Sequence, residues 1–491
     1  MRSLLSTSPT AAIHETLAPD AKSLYFELNA EHGPTQEALE RSRDFLQNKL
    51  KETEGLPCDL PDRMEEWHDW MENGAAQASQ QYRDYLHGRR SGQGRRYFGN
   101  VSHALYFLNA VAPTKLVDGS WLYGVLQRWD DPRFGDLIRI YLEELGEGLP
   151  DKNHVVLYRK LLEKHGCTHW PQLDEAYFTQ GTIQLCLAHH AADFLPEVIG
   201  FNLGYEQLPL HLLITAYELN ELGIDPYYFT LHVTVDNAST GHAQKALKAV
   251  FDAMPQAGDR AEFLRRVING YKLNEIGINT LTAIKSFDIT QALLSTFRAK
   301  AKVGAAVHSD YCRVGGRTVS DWLAEPERMP DFLAALEDAG WIKRHEAPEN
   351  SRFWKLISGE RAEMFGVFTG YEQQLIRDWI AGDAAQAGAT LPRQPSFRAK
   401  QRMLEAAADT AGRSRPTYMA RGVFRTQQAR NRAANDHDDF NADLRLLEAE
   451  IAALKDRRKI MSRLVELLSP AVHHTSAGMM ATRIFNRMFY T

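Results

Sequence analysis

Between residues 100 and 300 the apolar residues recur at helical spacing in one long amphipathic segment after another. SHALYFLNAV, DGSWLYGVLQRW, FGDLIRIYLEEL, HVVLYRKLLEKHG and AADFLPEVIGFNLGYEQLPLHLLITAYELNELG follow one another through mostly short connectors marked by Pro or Gly. Strand-like alternation is scarce. Each segment has one face that must leave water, and a run of such segments can bury those faces only against one another. The pattern predicts an all-α fold built on an antiparallel helical bundle.

Around that bundle, composition shifts mark the other parts. Residues 1–90 read as an N-terminal helical extension, and HGRRSGQGRRYFGN (87–100) as a loop entering the bundle of 91–300. Residues 301–382 are expected to form a helix plus β-hairpin, winged-helix-like in order, with WIKRHEAPENSRFWKLIS as two short strands around Pro348-Glu349-Asn350. Residues 383–436, rich in Ala, Arg and Gln, read as a basic linker or arm, followed by a C-terminal helix and tail over 437–491. In that helix Leu444, Leu447, Ile451, Leu454, Met461, Val465 and Leu468 keep a 3-4 spacing, with Arg458 out of place. Such a seam either packs back on the bundle or pairs with a second chain. Pairing into a homodimer is the favoured expectation.

The composition excludes several classes. Four cysteines stand far apart without a CxxC pair, which argues against a disulfide scaffold or a cysteine zinc site. No window approaches 18 uncharged apolar residues, and the N-terminus is too polar for a secretory signal, so a cytoplasmic protein without membrane contact is expected. A net charge of -6 over 491 residues argues against a dedicated nucleic-acid binder. GxxxxGK[ST], HExxH and GxSxG are all absent, and the GxG of LGEGLP runs into Pro with no strand before it. Glu65 and His68 make one Glu-x-x-His pair, half of what a ferritin-like site requires.

Buried charge is the remaining lead. In YYFTLHVTVDNASTGHAQKAL, His232 and Asp236 lie one helical turn apart among Phe229, Leu231, Val233 and Val235. A carboxylate there needs a compensating partner: a hydrogen-bonded imidazole, or a divalent metal. His242 follows beyond Asn-Ala-Ser-Thr-Gly. In YLEELGEGLPDKNHVVLYRKLL, Glu143 and Glu144 close a helix as a solvated end would, and His154 begins the next apolar run. Glu206 sits within the almost uncharged GFNLGYEQLPLHLL, where an interior carboxylate must be neutralised, paired or metal-bound.

These residues give the chain its resemblance to the haem-oxygenase-like di-iron oxidases and oxygenases, the iron-containing redox enzymes. The resemblance covers about residues 90–300. It implies a haem-oxygenase-like seven-helix bundle holding two Fe(II) ions, with Mn as an alternative metal and O2 as co-substrate. It assigns His154 as the second-helix histidine, Glu144 ten residues before it as its glutamate, and Glu206 as the later glutamate. His232 and Asp236 open the final His-x-x-x-Asp-x-x-His run, and Asp118 in APTKLVDGSWLYG stands for the first carboxylate. Two departures are visible. Asp118 replaces a usual Glu, and Ser239 occupies the final histidine position, so His242 serves if Asn237–Gly241 adds a turn or bulge. The implied activity is O2-dependent oxidation of a small organic substrate, as N-oxygenation, hydroxylation or oxidative cleavage of an amine, amino acid or fatty acid type compound. An external electron donor is the implied partner. The alternatives carried forward are a haem-binding or haem-degrading protein on the same fold, and a non-enzymatic regulator using the winged-helix-like module.

Overall fold

The computed structural model describes residues 21–235, 241–304, 311–382 and 442–490. Helices α1 (Ala21–Leu28), α2 (Gln36–Thr53) and α3 (Trp67–Arg90) lead into α4 (Val101–Ala110) and the short α5 (Ala112–Lys115). A 3-10 segment, Ser120–Arg128, then precedes α6 (Gly135–Glu144). The middle of the chain runs through α7 (His154–His165), α8 (Thr179–His190), α9 (Leu195–Tyr205), α10 (Leu210–Glu221), α11 (Tyr227–Val235), α12 (His242–Ala253) and α13 (Arg260–Lys272). Beyond it lie α14 (Thr280–Lys285), α15 (Ile289–Gly304), the strands β1 (Arg313–Val314) and β2 (Arg317–Thr318), α16 (Val319–Leu323), α17 (Met329–Asp338), α18 (Arg352–Ile357) and α19 (Gly370–Ala381). The last helices described are α20 (Ala442–Ala453), α21 (Arg457–Leu467) and α22 (Ser476–Phe489). The fold is all-α, and β1 and β2 form an antiparallel pair of two residues each.

Side chains gather into two apolar cores. One joins Leu24, Phe45 and Trp67 of the N-terminal helices to Trp121, Tyr141, Leu185, Phe201, Leu247 and Phe485. The other joins Phe107, Tyr158, Leu219 and Tyr228 to Phe297, Phe332, Leu336, Phe353 and Trp379. The N-terminal helices thus complete the first core, since Leu24, Phe45 and Trp67 are as buried as the bundle residues they meet. Helices α9 and α13 approach backbone to backbone. A Cβ on Gly200 would lie 1.8 Å from the Val267 carbonyl oxygen, and one on Gly270 would lie 2.1 Å from that of Glu197. Only glycine fits at this crossing.

Two expectations are corrected. The hairpin is not at 341–358: that stretch makes turns, a 3-10 turn at Pro348–Asn350 and helix α18, while the two-stranded hairpin lies at 313–318. Arg352–Ile357 carries its buried residues Phe353 and Ile357 four apart, a helical rather than a strand period. The C-terminal helix is two helices, broken before Asp456, whose side chain accepts from the Arg458 N–H at 2.9 Å and starts α21. Its apolar seam is already covered within the chain: Leu447, Met461, Leu464, Val465 and Leu468 belong to the first core. Arg458 is exposed and reaches Asp130 at 3.4 Å. The argument for pairing from a bare seam therefore falls. The turn or bulge expected at Asn237–Gly241 falls mostly outside the described residues; α12 starts at His242, after Gly241 in an extended conformation. Asp236 and the linker of 383–436 lie outside the described residues. Among the described residues, no helix is long and apolar enough to cross a membrane.

Candidate metal centre

The polar site lies where the two cores meet. Val117 and Trp121 pack into the first core, and Leu116, Tyr158 and Tyr228 into the second. Asp118 stands between them, 2% exposed, in the turn after α5. The next residue, Gly119, has φ +79°, and a Cβ there would lie 2.8 Å from the Cβ of Glu144. That turn sets Asp118 beside Glu144, the last residue of α6.

His154 opens α7, whose N-cap Asn153 accepts from the Val156 N–H at 3.0 Å. The Asn153 amide donates to the Leu145 carbonyl at 3.2 Å and meets His473 Nδ1 at 3.2 Å, so a residue from the C-terminal tail helps fix where α7 begins. His154 Nδ1 lies against Glu144 Oε2 and 3.8 Å from Asp118 Oδ2. It is buried, yet makes no aligned hydrogen bond. His232 Nε2 lies 3.0 Å from Asp118 Oδ2, while its Nδ1 lies 2.9 Å from the Tyr228 carbonyl. The Tyr228 carbonyl takes Nδ1 as its partner, so Nε2 is the ring atom that would serve a metal in the site.

A second group shares Glu144. His242 Nδ1 is 3.0 Å from Glu206 Oε2 and 3.4 Å from Glu144 Oε1. Ligand-type atoms of Asp118, Glu144, His154 and His232 lie within 4.8 Å of one another, as do those of Glu144, Glu206 and His242, and every one of these residues is buried. Six of the seven sequence candidates are therefore brought together. The seventh, Asp236, lies outside the described residues.

Burial alone would raise the Asp118 carboxyl. Lys115, with the His154 and His232 imidazoles, overcomes that and holds it well below the ordinary carboxylate range. Burial likewise works against a charged His154, and the Glu144 and Asp118 carboxylates outweigh it, pushing the imidazole up to about 10. Without a metal, the site thus draws a proton to balance its carboxylates.

Four neighbours were not read from the sequence as partners of the ligands. Glu143, read as part of a solvated helix end, lies 2.7 Å from His242 Nε2 and 2.6 Å from Lys245 Nζ, and despite burial these hold it down at about 2. The Tyr228 hydroxyl donates to Asp118 Oδ2 at 2.5 Å and the Tyr205 hydroxyl to Oδ1 at 3.0 Å, while Lys115 Nζ donates to Tyr205 at 2.9 Å. No local motif marks these contacts, because their partners lie on other elements. A carboxylate next to a candidate ligand, as Glu143 is to Glu144, was the only available signal.

The donor set is one that fits iron. Imidazole nitrogen and carboxylate oxygen together suit iron, with no thiolate to favour softer ions. The carboxylates sit in a dry interior where a cation is the usual compensation. His154 Nδ1 and Glu144 Oε2 crowd each other without hydrogen-bond alignment, as atoms aimed at a common point do.

Residues 105–275 match the family model described as iron-containing redox enzyme. That segment spans α4 to α13 with Asp118, Glu144, His154, Glu206, His232 and His242. That family has a helical haem-oxygenase-like fold, and the matched segment is similar to it in its helices and in its buried carboxylates and histidines. No curated protein and no solved structure matches the chain.

Proposed function

We propose that this iron-containing redox enzyme segment holds two non-haem irons and uses O2 to oxidise a small organic substrate. One observation carries the reading. Glu144 turns Oε2 to His154 and Oε1 to His242, so one carboxylate faces two separate ligand groups. Asp118, His154 and His232 would hold one iron and Glu206 and His242 the other, with Glu144 common to both. Bound iron supplies the reducing electrons and the open coordination positions that O2 chemistry needs. In an oxygenation, one oxygen atom enters the substrate and the other leaves as water, taking two electrons and two protons from an external donor.

The chain's own residues orient and insulate. Tyr228 and Tyr205 donate to the two oxygens of Asp118 and so fix the plane of its carboxylate. Lys115 behind Tyr205 and Lys245 behind Glu143 place positive charge at two edges of the site. Tyr158, Trp121 and Phe201, all fully buried, keep water away from it.

Anaerobic addition of Fe(II) to the metal-free chain, followed by O2 exposure, tests this proposal. The expected result is close to two irons per chain, consumption of O2, and no Soret band. A chain that takes up haem, or that holds iron without consuming O2, would overturn it.

The tail contact makes a second expectation. His473→Ala leaves the Asn153 amide with the Leu145 carbonyl alone and loosens the start of α7. Iron affinity should fall by about tenfold, the lower end for loss of an outer-shell partner. Competition with a chelator reads this. His473→Gln, which keeps a hydrogen-bonding group, should recover part of the loss, and equal affinity in all three proteins would rule the contact out as a positioning device.

A further inference from the structure

A cavity of about 470 Å³ opens in the part of the chain beyond the family match, among α15, the hairpin, α16, α17 and α18. Its size falls in the range of small-molecule sites. Phe297, Phe353 and Phe368 form one wall, with ring centroids 5.8 Å, 5.9 Å and 6.3 Å apart in pairs. Leu336 and Trp341 belong to its lining as well. Nothing in the iron chemistry uses this space.

Two further observations point to an occupant. Val367, one of the exposed large apolar side chains among the described residues at 41%, lines this cavity, and the exposed Phe365 stands next in sequence to the lining residue Met364. Exposed apolar surface at the rim of an apolar concave site is a mark of binding sites. The second observation is charge. The lining holds Lys300 and Arg352 against one carboxylate, Glu363. Lys300 is answered by Glu372 at 2.8 Å. The Arg352 guanidinium carbon lies over Trp341, 4.1 Å from the ring centroid, and no carboxylate among the described residues pairs with it. A guanidinium whose charge rests on an aromatic face keeps its N–H donors for a carboxylate.

We propose that this cavity binds an amphipathic carboxylate, a single alkyl or aryl chain whose apolar body lies among the phenylalanines and whose carboxylate meets Arg352. The site is separate from the iron centre and does not depend on the reading of that centre.

Titration of the full-length protein with decanoate, decan-1-ol and decyltrimethylammonium, each below its micellar concentration, tests the proposal by calorimetry. Decanoate should bind saturably with a stoichiometry of one, and at least about tenfold more tightly than either of the others, equivalent to 1.4 kcal/mol. Arg352→Gln should remove that preference while leaving decan-1-ol binding unchanged. Val367→Glu, a change at an exposed position, should weaken decanoate binding by placing a like charge at the mouth. Leu336→Trp should abolish binding by filling the cavity, provided its helical circular dichroism is native. No saturable binding of decanoate, equal binding of all three compounds, or decanoate binding unaffected by both Arg352→Gln and Val367→Glu would each overturn the proposal. Iron content should be the same in every variant, and this separates failure here from failure of the metal reading.

Discussion

Glu144→Ala should strip iron from both halves of the site at once. Each of its oxygens faces a different histidine, His154 on one side and His242 on the other. No other residue described touches both ligand groups. Glu206→Ala removes a partner of His242 that belongs to the second group and should leave the Asp118–His154–His232 group loaded. Iron bound per chain should therefore fall to about a tenth or less in Glu144→Ala, as expected for loss of a ligand rather than of a residue that orients one, and to about half in Glu206→Ala. Elemental analysis beside helical circular dichroism measures this. If both variants retain the same iron, Glu144 is not shared and the two-iron reading falls with it.

Gly200→Val should bring the largest loss of stability. The new Cβ would lie 1.8 Å from the Val267 carbonyl oxygen, a backbone atom that moves only if helix α13 moves. The cost is about 3 kcal/mol, the upper end for overpacking, because no side chain can rotate out of the way. Gly204→Ala makes a useful control. Its Cβ would meet the side chains of Asn274 and Tyr271, which can shift, so about 1 kcal/mol is expected. Denaturant melts compare the two. Gly200→Val should also displace Glu206, which follows directly after α9, and so reduce iron retention in the protein that still folds. A Gly200→Val protein as stable as Gly204→Ala would mean that the helices part easily at this crossing.

Much of the fold and the centre was legible because both rest on local signals. Amphipathic spacing marks helices wherever one face is buried, and a Glu or His within an apolar run is conspicuous by itself, as with Glu206 and His154. Partners were not legible. Tyr228, Tyr205 and Lys115 reach Asp118 from three different elements, and periodicity says which face a residue is on but not what stands opposite. Glu143 was passed over because a helix end is the ordinary place for a solvated acid. The same limit explains the C-terminal seam: a 3-4 repeat reads alike whether the face meets a second chain or its own bundle, and only the positions of Leu447 and Val465 in the first core decide it. The misplaced hairpin has another cause. Pro348 breaks the stretch into pieces too short to establish a period, and the helical spacing of Phe353 and Ile357 becomes plain only once α18 has formed.

The placement of the ligands at helix ends has a wider consequence. Glu144 ends α6 and Glu206 follows α9, at the negative poles of their helices, while His154 and His242 open α7 and α12 at positive poles. Each sign is the reverse of what a helix alone favours, at about 0.3–1 kcal/mol apiece. Without a cation the carboxylates would call for a proton on His154, and the α7 terminus opposes it. A cation that neutral imidazoles can bind relieves that conflict, and one that binds only the folded chain stabilises it by about 2.7 kcal/mol at a hundredfold excess over its dissociation constant. Degradation in a cell follows how often a chain opens. The lifetime of this protein would then rise and fall with the iron supply, so that its abundance reports metal availability before any catalysis takes place.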